Sequence, residues 1–342
     1  MRVMLIGEGD PLSSTHSCTR IFRELGCEAL HWDNKKPSLL FGGRGWWQMT
    51  RPERSAYDLL ASYRFLADCK KFRPDVIFTQ KGENIHSYAI RRALEETGSR
   101  MVIWYGDNPF HAEVTTFNVI RNLRRCDIFY SYGKFMIDAL RSAGCRRVEY
   151  LPFAFDPVVH PPETIIAAAE RSHFQSDLCF VGTWDAQREN ALAQLTNFDL
   201  AIWGRFWRER VAPGTALSRC IRGGTTWGPE MVKCFKGAKI ALNFLRDFNH
   251  TSHNFRTMEA TGSGGGTLLT KRTVEQSEEL FLEGKHLFSY GNVAEMPGII
   301  SRLLGESGQL QEVSAAARQH VHANHLLKFR IQQILTDLGY FT

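Results

Sequence analysis

The chain has 342 residues, 43% of them hydrophobic, which suits two globular domains and excludes a disordered protein. Its formal charge of +6, from 42 Lys and Arg against 36 Asp and Glu, is too weak for nucleic-acid binding but suits an anionic ligand or loose contact with an acidic membrane. None of the eight cysteines forms a C-x-x-C pair, so we expect no zinc centre. No apolar run approaches about 18 residues, so we expect no membrane span and a reducing cytoplasmic compartment.

The first half of the chain alternates short apolar runs with helical stretches. A helix is predicted over residues 14–25, and strands are predicted over residues 3–6, 27–32, 75–79, 101–105, 127–130 and 148–151. Continuous apolar strands separated by helices indicate a parallel sheet that is covered on both faces.

A proline-rich run then interrupts this alternation, with three prolines between residues 156 and 163. We interpret it as an interdomain linker. The alternation resumes with strands predicted over residues 178–181, 200–203, 238–244, 267–270 and 286–290. The predicted domains are residues 1–153, a linker over 154–165, residues 166–325, and a final helix over 326–342 that packs back on the first domain. In such α/β domains, ligands bind beyond the carboxyl ends of the strands.

The turn after the first strand, Gly7-Glu8-Gly9, is a fragment of a dinucleotide fingerprint. The full G-x-G-x-x-G pattern needs glycine at position 12, where Leu12 stands, so the turn does not predict an oxidoreductase. We expect this turn and the nearby His16 to line the first domain's side of a ligand cleft. For His16, a capping or surface role is the alternative.

Asp107 follows the fourth predicted strand in the run Trp104-Tyr-Gly-Asp107-Asn-Pro109. A carboxylate at the carboxyl end of a strand can orient or deprotonate a hydroxyl group, so Asp107 is the candidate catalytic base. A chain-redirecting turn is the alternative. Lys81 occupies a similar position after the third strand and is either a cleft residue or a solvated lysine.

Two strands of the second half end in glycine followed by a cation. Gly182 precedes Arg188, and Gly204 precedes Arg205. Either arginine can pair with phosphate oxygens if it faces the turn, and an ordinary surface arginine is the alternative.

Arg256 and Glu259 stand three residues apart, directly before a glycine-rich run. This spacing places both side chains on one face of a helix. A cation suits phosphate, a carboxylate suits sugar hydroxyls, and the turn at Ser263, Gly264 and Gly265 can offer N–H groups to an anion. These features indicate a nucleotide-sugar site, with a solvated ion pair beside a flexible loop as the alternative.

These motifs together resemble the CgeB-like glycosyltransferases. The resemblance rests on Tyr150-Leu-Pro-Phe-Ala154 followed by Asp156-Pro and His160-Pro, on Phe180-Val-Gly182 and Trp203-Gly204, and on Pro229-Glu-Met231 followed by Lys239-Ile-Ala-Leu-Asn243. It rests further on the run from Arg256 to Gly265, on His325-Leu-Leu-Lys-Phe-Arg330 and, in the first half, on Trp104 to Pro109. It covers the chain from about residue 150 to residue 335 and is looser in the first half.

The resemblance implies a GT-B architecture of the GT4 type, with two Rossmann-like, doubly wound domains facing across a cleft. It implies an acceptor site in the first domain, a donor site in the second, and transfer that retains the configuration of the sugar and needs neither metal nor cofactor. By position, Glu259 matches the carboxylate that binds the ribose of the donor. Arg256 and residues 263–265 match the positions that hold the diphosphate or the sugar of the donor. Gly182 matches the turn near the phosphates of the donor.

The sequence departs from the GT4 pattern at two places. Thr251 stands where a first glutamate is expected, eight residues before Glu259. The usual Arg-x4-Lys phosphate clamp is not evident, and the candidate substitutes are Arg188, Arg205, Lys239 and Arg256.

We therefore expect a glycosyltransferase that moves a sugar from a nucleoside-diphosphate donor to a hydroxyl of a glycan, a lipid-linked sugar or a protein. Peripheral membrane contact is compatible with this hypothesis, and nucleic-acid binding is not expected. Two alternatives stay open: a non-catalytic nucleotide-binding or assembly protein, and a sugar-nucleotide epimerase of the same shape.

Overall fold

The computed structural model describes residues 1–36, 39–43, 46–80, 82, 84–249 and 251–341. The chain divides into two compact units. The first unit comprises Met1–Pro152 and Arg330–Thr342, and the second comprises Phe153–Phe329.

A six-stranded parallel sheet forms the centre of the first unit, in the order β2-β1-β3-β4-β5-β6. Its strands are β1 (Arg2–Gly7), β2 (Glu28–Asp33), β3 (Val76–Thr79), β4 (Arg100–Tyr105), β5 (Ile128–Ser131) and β6 (Val148–Tyr150). The helices between them are α1 (Ser14–Glu24), α2 (Arg51–Phe72), α3 (Ser87–Thr97), α4 (Phe117–Leu123) and α5 (Ile137–Ser142).

The second unit also contains a six-stranded parallel sheet, in the order β12-β11-β10-β7-β8-β9. Its strands are β7 (Ser176–Val181), β8 (Leu200–Trp203), β9 (Ile221–Gly223), β10 (Ala238–Asn243), β11 (Thr267–Lys271) and β12 (Phe288–Tyr290). Its helices are α6 (Arg171–Phe174), α7 (Ala186–Ala193), α8 (Trp207–Arg210), α9 (Ala216–Arg219), α10 (Gly228–Gly237), α11 (Phe255–Ser263), α12 (Met296–Gly305) and α13 (Ser307–Asn324).

Apolar strands buried on both faces hold each unit together. In β1, every residue from Val3 to Gly7 is buried. In the second unit, Phe180 of β7, Ile202 of β8 and Leu242 of β10 belong to one buried cluster. Each such side chain contributes about 1.5–3 kcal/mol when it leaves water. The predicted fold class, two α/β domains with parallel sheets, is confirmed.

The final helix, α14 (Leu327–Asp337), places its end in the first unit. The Asp337 carboxylate accepts a hydrogen bond of 2.8 Å from the Tyr130 hydroxyl and pairs with Arg147 Nη2 at 2.7 Å. Arg100 Nη2 donates to the Leu338 carbonyl at 2.7 Å. These bonds fix the end of the chain against strands β4 and β5 and the residue before β6.

The proline-rich run belongs to the second unit. Phe155 is fully buried and forms a parallel β-bridge with Leu326. The Phe155 N–H donates to the His325 carbonyl at 2.8 Å, and the Leu327 N–H donates to the Phe155 carbonyl at 2.9 Å. Across the described part of the chain, no helix has both the length and the apolar content needed to cross a membrane.

Candidate functional site

The turns after β7 and β8 meet through two glycines. The Gly182 N–H donates to the Trp203 carbonyl at 2.9 Å, and the Gly182 carbonyl accepts from Trp207 Nε1 at 2.8 Å. Gly204 has φ +155°, and a Cβ there would lie 1.8 Å from the Gly182 oxygen. Both backbone polar groups of Gly182 are therefore engaged within the protein, and Gly182 and Gly204 hold the carboxyl ends of the two strands together.

Arg188 lies in the first turn of α7 and is held by the strand ends around it. Asp185 caps the helix by accepting from the Arg188 N–H at 2.9 Å, and its carboxylate lies 3.2 Å from Arg188 Nε. Arg188 Nη1 donates to the Thr183 carbonyl at 2.8 Å and Nη2 to the Phe244 carbonyl at 3.3 Å. Burial lowers the pKa of this guanidinium to about 10, which still leaves it charged at neutral pH. The structure thus holds a fixed cation at the carboxyl edge of the second sheet.

A cavity of about 240 Å³ adjoins Arg188 at this edge. Lys271 ends β11, Tyr290 ends β12 and Arg246 follows β10, so the cavity lies beyond the carboxyl ends of neighbouring strands. Its charged lining residues are Arg188, Arg246, Lys271, Asp185 and Asp247. Three cations against two carboxylates favour an anionic ligand.

Helix α11 brings Arg256 and Glu259 together, as the spacing predicted. Asn254 caps the helix by accepting from the Thr257 N–H at 3.1 Å. Arg256 Nη1 contacts Glu259 Oε2 at 2.5 Å, and the two side chains are 17% and 9% exposed. The alternative of a solvated ion pair is therefore wrong, because both groups are largely removed from water.

Sequence reasoning missed His160, which lies beside this pair. Its Nε2 is 4.0 Å from Glu259 Oε1, and its ring lies 6.2 Å from that of Phe155 in a stacked arrangement. The residue is 5% exposed, and neither ring nitrogen has a hydrogen-bond partner among the described residues. Burial lowers the pKa of the imidazole, although the charge of Glu259 opposes this shift. In the sequence, His160-Pro161 is part of the family resemblance, but nothing in the proline-rich run indicates that the histidine belongs to a site.

Trp227 provides an exposed aromatic face next to His160. Its ring lies 6.5 Å from that of His160 and the residue is 49% exposed, whereas Trp203 and Trp207 are buried. Gly228 has φ +57°, and a Cβ there would lie 3.3 Å from the Val159 carbonyl. The start of α10 therefore packs closely against the backbone that carries His160. Among these three tryptophans of the second unit, Trp227 is the one with an exposed ring, which can stack on the base of a nucleotide.

The glycine-rich turn at residues 263–265 does not lie beside Arg256, Glu259 and His160. Ser263, Gly264 and Gly265 lie where α11 ends and β11 begins, at the amino edge of the sheet. The Gly265 N–H donates to Ser314 Oγ at 3.2 Å, and the next N–H, of Gly266, donates to the Phe235 carbonyl at 2.7 Å. Of the N–H groups that this turn was expected to offer an anion, that of Gly265 is thus engaged within the protein, as is the N–H that follows the turn.

The remaining candidate cations occupy different places. Arg205 is exposed and lies over the Phe206 ring, 4.4 Å from its centroid. Lys239 is the second residue of β10, at the amino edge of the sheet, and pairs with Asp177 at 2.8 Å. Arg188 is thus a largely buried cation at the carboxyl edge of the sheet, whereas Lys239 lies at the opposite end of its strand.

Thr251 lies beside a carboxylate from another part of the chain. Its Oγ1 donates to Glu275 Oε1 at 3.2 Å, and Ser252 Oγ donates to Glu275 Oε2 at 3.1 Å. Glu275 begins a π-helical segment, Glu275–Leu280, and is buried. Thr251, which stands where the GT4 pattern has a glutamate, thus contacts Glu275, a glutamate 24 residues later in the sequence.

In the first unit, the Gly7-Glu8-Gly9 turn lies at the carboxyl end of β1. A Cβ on Gly7 would come within 2.0 Å of Thr15 Oγ1, so helix α1 packs directly on the strand end. Glu8 pairs with Lys35 at 2.6 Å. His16 is exposed, and its ring lies 5.9 Å from that of His31.

Asp107 follows β4 at the same edge of the first sheet, in a turn. Asn108 Oδ1 accepts from the Phe110 N–H at 3.0 Å, and the Asn108 carbonyl accepts from the His111 N–H at 3.0 Å. Lys81 lies outside the described residues. Within the part of the chain that is described, no group of three or more His, Cys, Asp or Glu side chains is arranged to hold a metal ion.

Comparisons with known proteins agree with the fold. Residues 187–336, less than half of the chain, match the family described as "Glycosyl transferase-like". No curated protein matches the chain.

Several solved structures match over nearly the whole length. HepE of Anabaena in complex with UDP-glucose has 14% identity and a TM-score of 0.70, with 100% of both chains covered. Sucrose-phosphate synthase of Thermosynechococcus elongatus has 10% identity and a TM-score of 0.73, with 99% of this chain and 98% of that chain covered. A glycosyltransferase from Rickettsia africae has 11% identity and a TM-score of 0.65, with coverages of 98% and 97%. At these identities the likeness shows the fold, which is of the predicted GT-B type.

Proposed function

We propose that the chain is a glycosyltransferase that moves a sugar from a nucleoside-diphosphate donor to a hydroxyl acceptor. The observation that carries this proposal is the buried group of Arg256, Glu259 and His160. Arg256 and Glu259 lie within the residues that match a glycosyl transferase-like family, and structures of similar fold contain UDP or UDP-glucose.

The charges of the second unit suit a sugar diphosphate. Breaking the bond between the sugar and the diphosphate leaves negative charge on the leaving phosphate. Fixed cations in a site with little water stabilise such charge without having to reorganise. In the proposed site Arg188 supplies this charge, Glu259 binds the ribose and Trp227 stacks on the base. Arg205 is an exposed cation that can approach the phosphates from solvent.

The finer assignments extend the same proposal. We propose hexosyl transfer without a metal ion, with retention of configuration and with Asp107 as the acceptor-side base. The acceptor is a hydroxyl of a glycan, a lipid-linked sugar or a protein. A CgeB-like enzyme of polysaccharide biosynthesis, cytoplasmic and in peripheral contact with a membrane, fits this description.

A binding screen followed by a turnover assay tests the proposal. The purified chain is mixed with UDP-, GDP- and dTDP-sugars, and the midpoint of thermal unfolding is recorded. A ligand at about 100 times its Kd stabilises the protein by about 2.7 kcal/mol, a readily measured rise. Bound donors are then assayed, with and without EDTA, for release of the nucleoside diphosphate by hydrolysis or by transfer of the sugar to an added glycan. No rise with any donor would refute the donor site, and binding without turnover would favour the non-catalytic alternative.

A further inference from the structure

Helices α2, α3 and α4 of the first unit carry exposed aromatic side chains close to one another. The N–H of His86, the residue before α3, donates to Ser62 Oγ of α2 at 2.9 Å. The N–H of Ser87, in α3, donates to Asn118 Oδ1 of α4 at 3.2 Å. These bonds join the start of α3 to both neighbouring helices. An exposed aromatic residue stands next in sequence to each helix residue in these bonds: Tyr63 (65% exposed), Tyr88 (58%) and Phe117 (84%).

The three helices cover one face of the first sheet. The steps from β2 to β3, from β3 to β4 and from β4 to β5 all run in one direction along the sheet, and right-handed crossovers place the connecting helices on the same side. On α2, Leu59 lies four residues before Tyr63, and on α4, Ile120 lies three residues after Phe117. Each therefore shares a side of its helix with an exposed ring. We define the aromatic surface as six exposed residues: Leu59, Leu60, Tyr63, Tyr88, Phe117 and Ile120.

This arrangement differs from that of an ordinary surface helix. Such a helix directs its apolar side chains to the core and its charged side chains outward. Single exposed apolar residues are common, but an apolar area shared by neighbouring elements marks an interaction site. The aromatic surface draws its side chains from three helices that pack side by side, so it indicates a partner.

The charges around the aromatic surface are mainly positive. The exposed basic residues of the three helices are Arg51, Lys70, Lys71, Arg91, Arg92 and Arg121, and their exposed acidic residue is Glu95. The half-buried carboxylates of the same helices are bonded within the protein; they belong to Glu53, Asp58, Asp68 and Glu96. Arg121 lies four residues after Phe117, and the Arg91 guanidinium lies 5.3 Å from the centroid of the Tyr88 ring. Exposed cations thus lie beside the exposed rings.

We propose that the aromatic surface docks the protein on a bilayer that contains acidic lipids. Aromatic and aliphatic side chains enter the boundary between headgroups and acyl chains, and Lys and Arg are attracted to anionic headgroups. The aromatic surface and its cations supply both kinds of contact from one face of the first unit. The inference rests on the proposed function, in which the enzyme contacts a membrane, and it adds the surface and the lipid class that make this contact.

Co-sedimentation of the full chain with vesicles tests the inference in the absence of nucleotide. The vesicles contain phosphatidylcholine alone or phosphatidylcholine with phosphatidylglycerol, an anionic lipid. One variant replaces the three rings of the aromatic surface: Tyr63→Ser, Tyr88→Ser and Phe117→Ser. The matched control removes three exposed apolar side chains from the second unit: Val158→Ser, Ile165→Ser and Leu282→Ser.

We expect the wild type to bind the acidic vesicles at least about tenfold more tightly than the neutral ones. The variant without the three rings should bind the acidic vesicles at least about tenfold more weakly than the wild type, and the control should bind like the wild type. Arg121→Gln should weaken binding to the acidic vesicles about fivefold, because a cation near an acidic membrane contributes about that factor.

Two results with vesicles would overturn the inference. The first is a wild type that does not prefer acidic vesicles, and the second is equal binding by the wild type and the variant without the rings. A dimer of the wild type in sedimentation velocity that this variant does not form, without vesicle binding, would also overturn it and assign the surface to a second copy of the chain. If the variant does not fold, Phe117→Ser alone takes its place, because Phe117 is the most exposed of the three rings.

The donor screen separates this inference from the proposed function. A variant that loses vesicle binding but keeps the thermal stabilisation by a nucleotide sugar would support a docking surface distinct from the donor site. A wild type that binds acidic vesicles through the three rings but no nucleotide sugar would refute the donor site and leave the docking surface standing.

Discussion

The burial of the Arg256–Glu259 pair predicts a large effect of Glu259→Ala on stability. This substitution leaves the guanidinium of Arg256 beside the Phe235 ring and the Met231 sulfur, with 17% of its side chain exposed and no carboxylate. Removing one partner of a buried pair costs about 3–5 kcal/mol, and the partial exposure of Arg256 places the expected loss at the lower end, about 3 kcal/mol.

The double variant Arg256→Met with Glu259→Leu separates charge from packing. It removes the unpaired charge and keeps apolar volume, so it should recover at least about half of the loss caused by Glu259→Ala. A matched surface control is Glu306→Ala, which breaks the Arg302–Glu306 pair, whose side chains are 53% and 47% exposed. The control should cost less than about 1 kcal/mol.

These differences are measured by urea unfolding, monitored by tryptophan fluorescence. The free energy of unfolding of the second unit is obtained from its transition by linear extrapolation to zero urea. A loss below about 1 kcal/mol for Glu259→Ala would mean that water solvates the pair. A double variant less stable than Glu259→Ala would mean that the interaction of the charges, and not the isolation of one, dominates. Either result would refute the reasoning from burial.

Three further predictions follow from other parts of the second unit. Arg188→Met should weaken binding of the nucleoside diphosphate at least about tenfold by calorimetry, whereas Lys239→Met, at the amino edge of the sheet, should leave it unchanged. Burial lowers the pKa of His286 from 6.5 to about 4, so the unfolded chain binds the proton first as pH falls. The contribution of His286 to stability should be full above about pH 6.5 and be lost as pH falls toward 4, so His286→Phe should reduce the slope of the free energy of unfolding over this range in urea unfolding series. Gly204→Ala should lower the free energy of unfolding by at least about 2 kcal/mol, because its Cβ would overlap the Gly182 carbonyl oxygen. The control Gly224→Ala should be nearly neutral, because no atom lies within 4 Å of its Cβ. Equal midpoints of thermal unfolding for the two variants would contradict this prediction.

The sequence predicted the strands of both sheets well because they are buried on both faces. Such strands are continuous apolar runs, and the observed β1 (Arg2–Gly7) extends the predicted run over residues 3–6 by one residue at each end. The short strand β9 (Ile221–Gly223) was missed. Its three residues are only half-buried and include an arginine, so no apolar run marks it.

The candidate site was only partly predictable, because its parts are joined by tertiary contacts. The spacing of Arg256 and Glu259 placed them on one helix face, but the burial that makes the pair significant depends on α10. The glycines at 264 and 265 suggested an anion-binding turn. In the structure, a Cβ on Gly265 would lie 2.6 Å from Lys236 Cα, so close packing of the chain requires glycine there. His160 became visible only when the proline-rich run was folded onto the second unit.

The bridge between Phe155 and Leu326 joins the two ends of the second unit. This unit is therefore an insertion in the sequence of the first, which takes its last segment, Arg330–Thr342, from the far end of the chain. During synthesis on a ribosome, the second unit is complete before Asp337 can reach Tyr130 and Arg147. The first unit begins to be synthesised first but completes its contacts last. A chain that ends at residue 329 would therefore contain a complete second unit and a first unit that lacks its last segment.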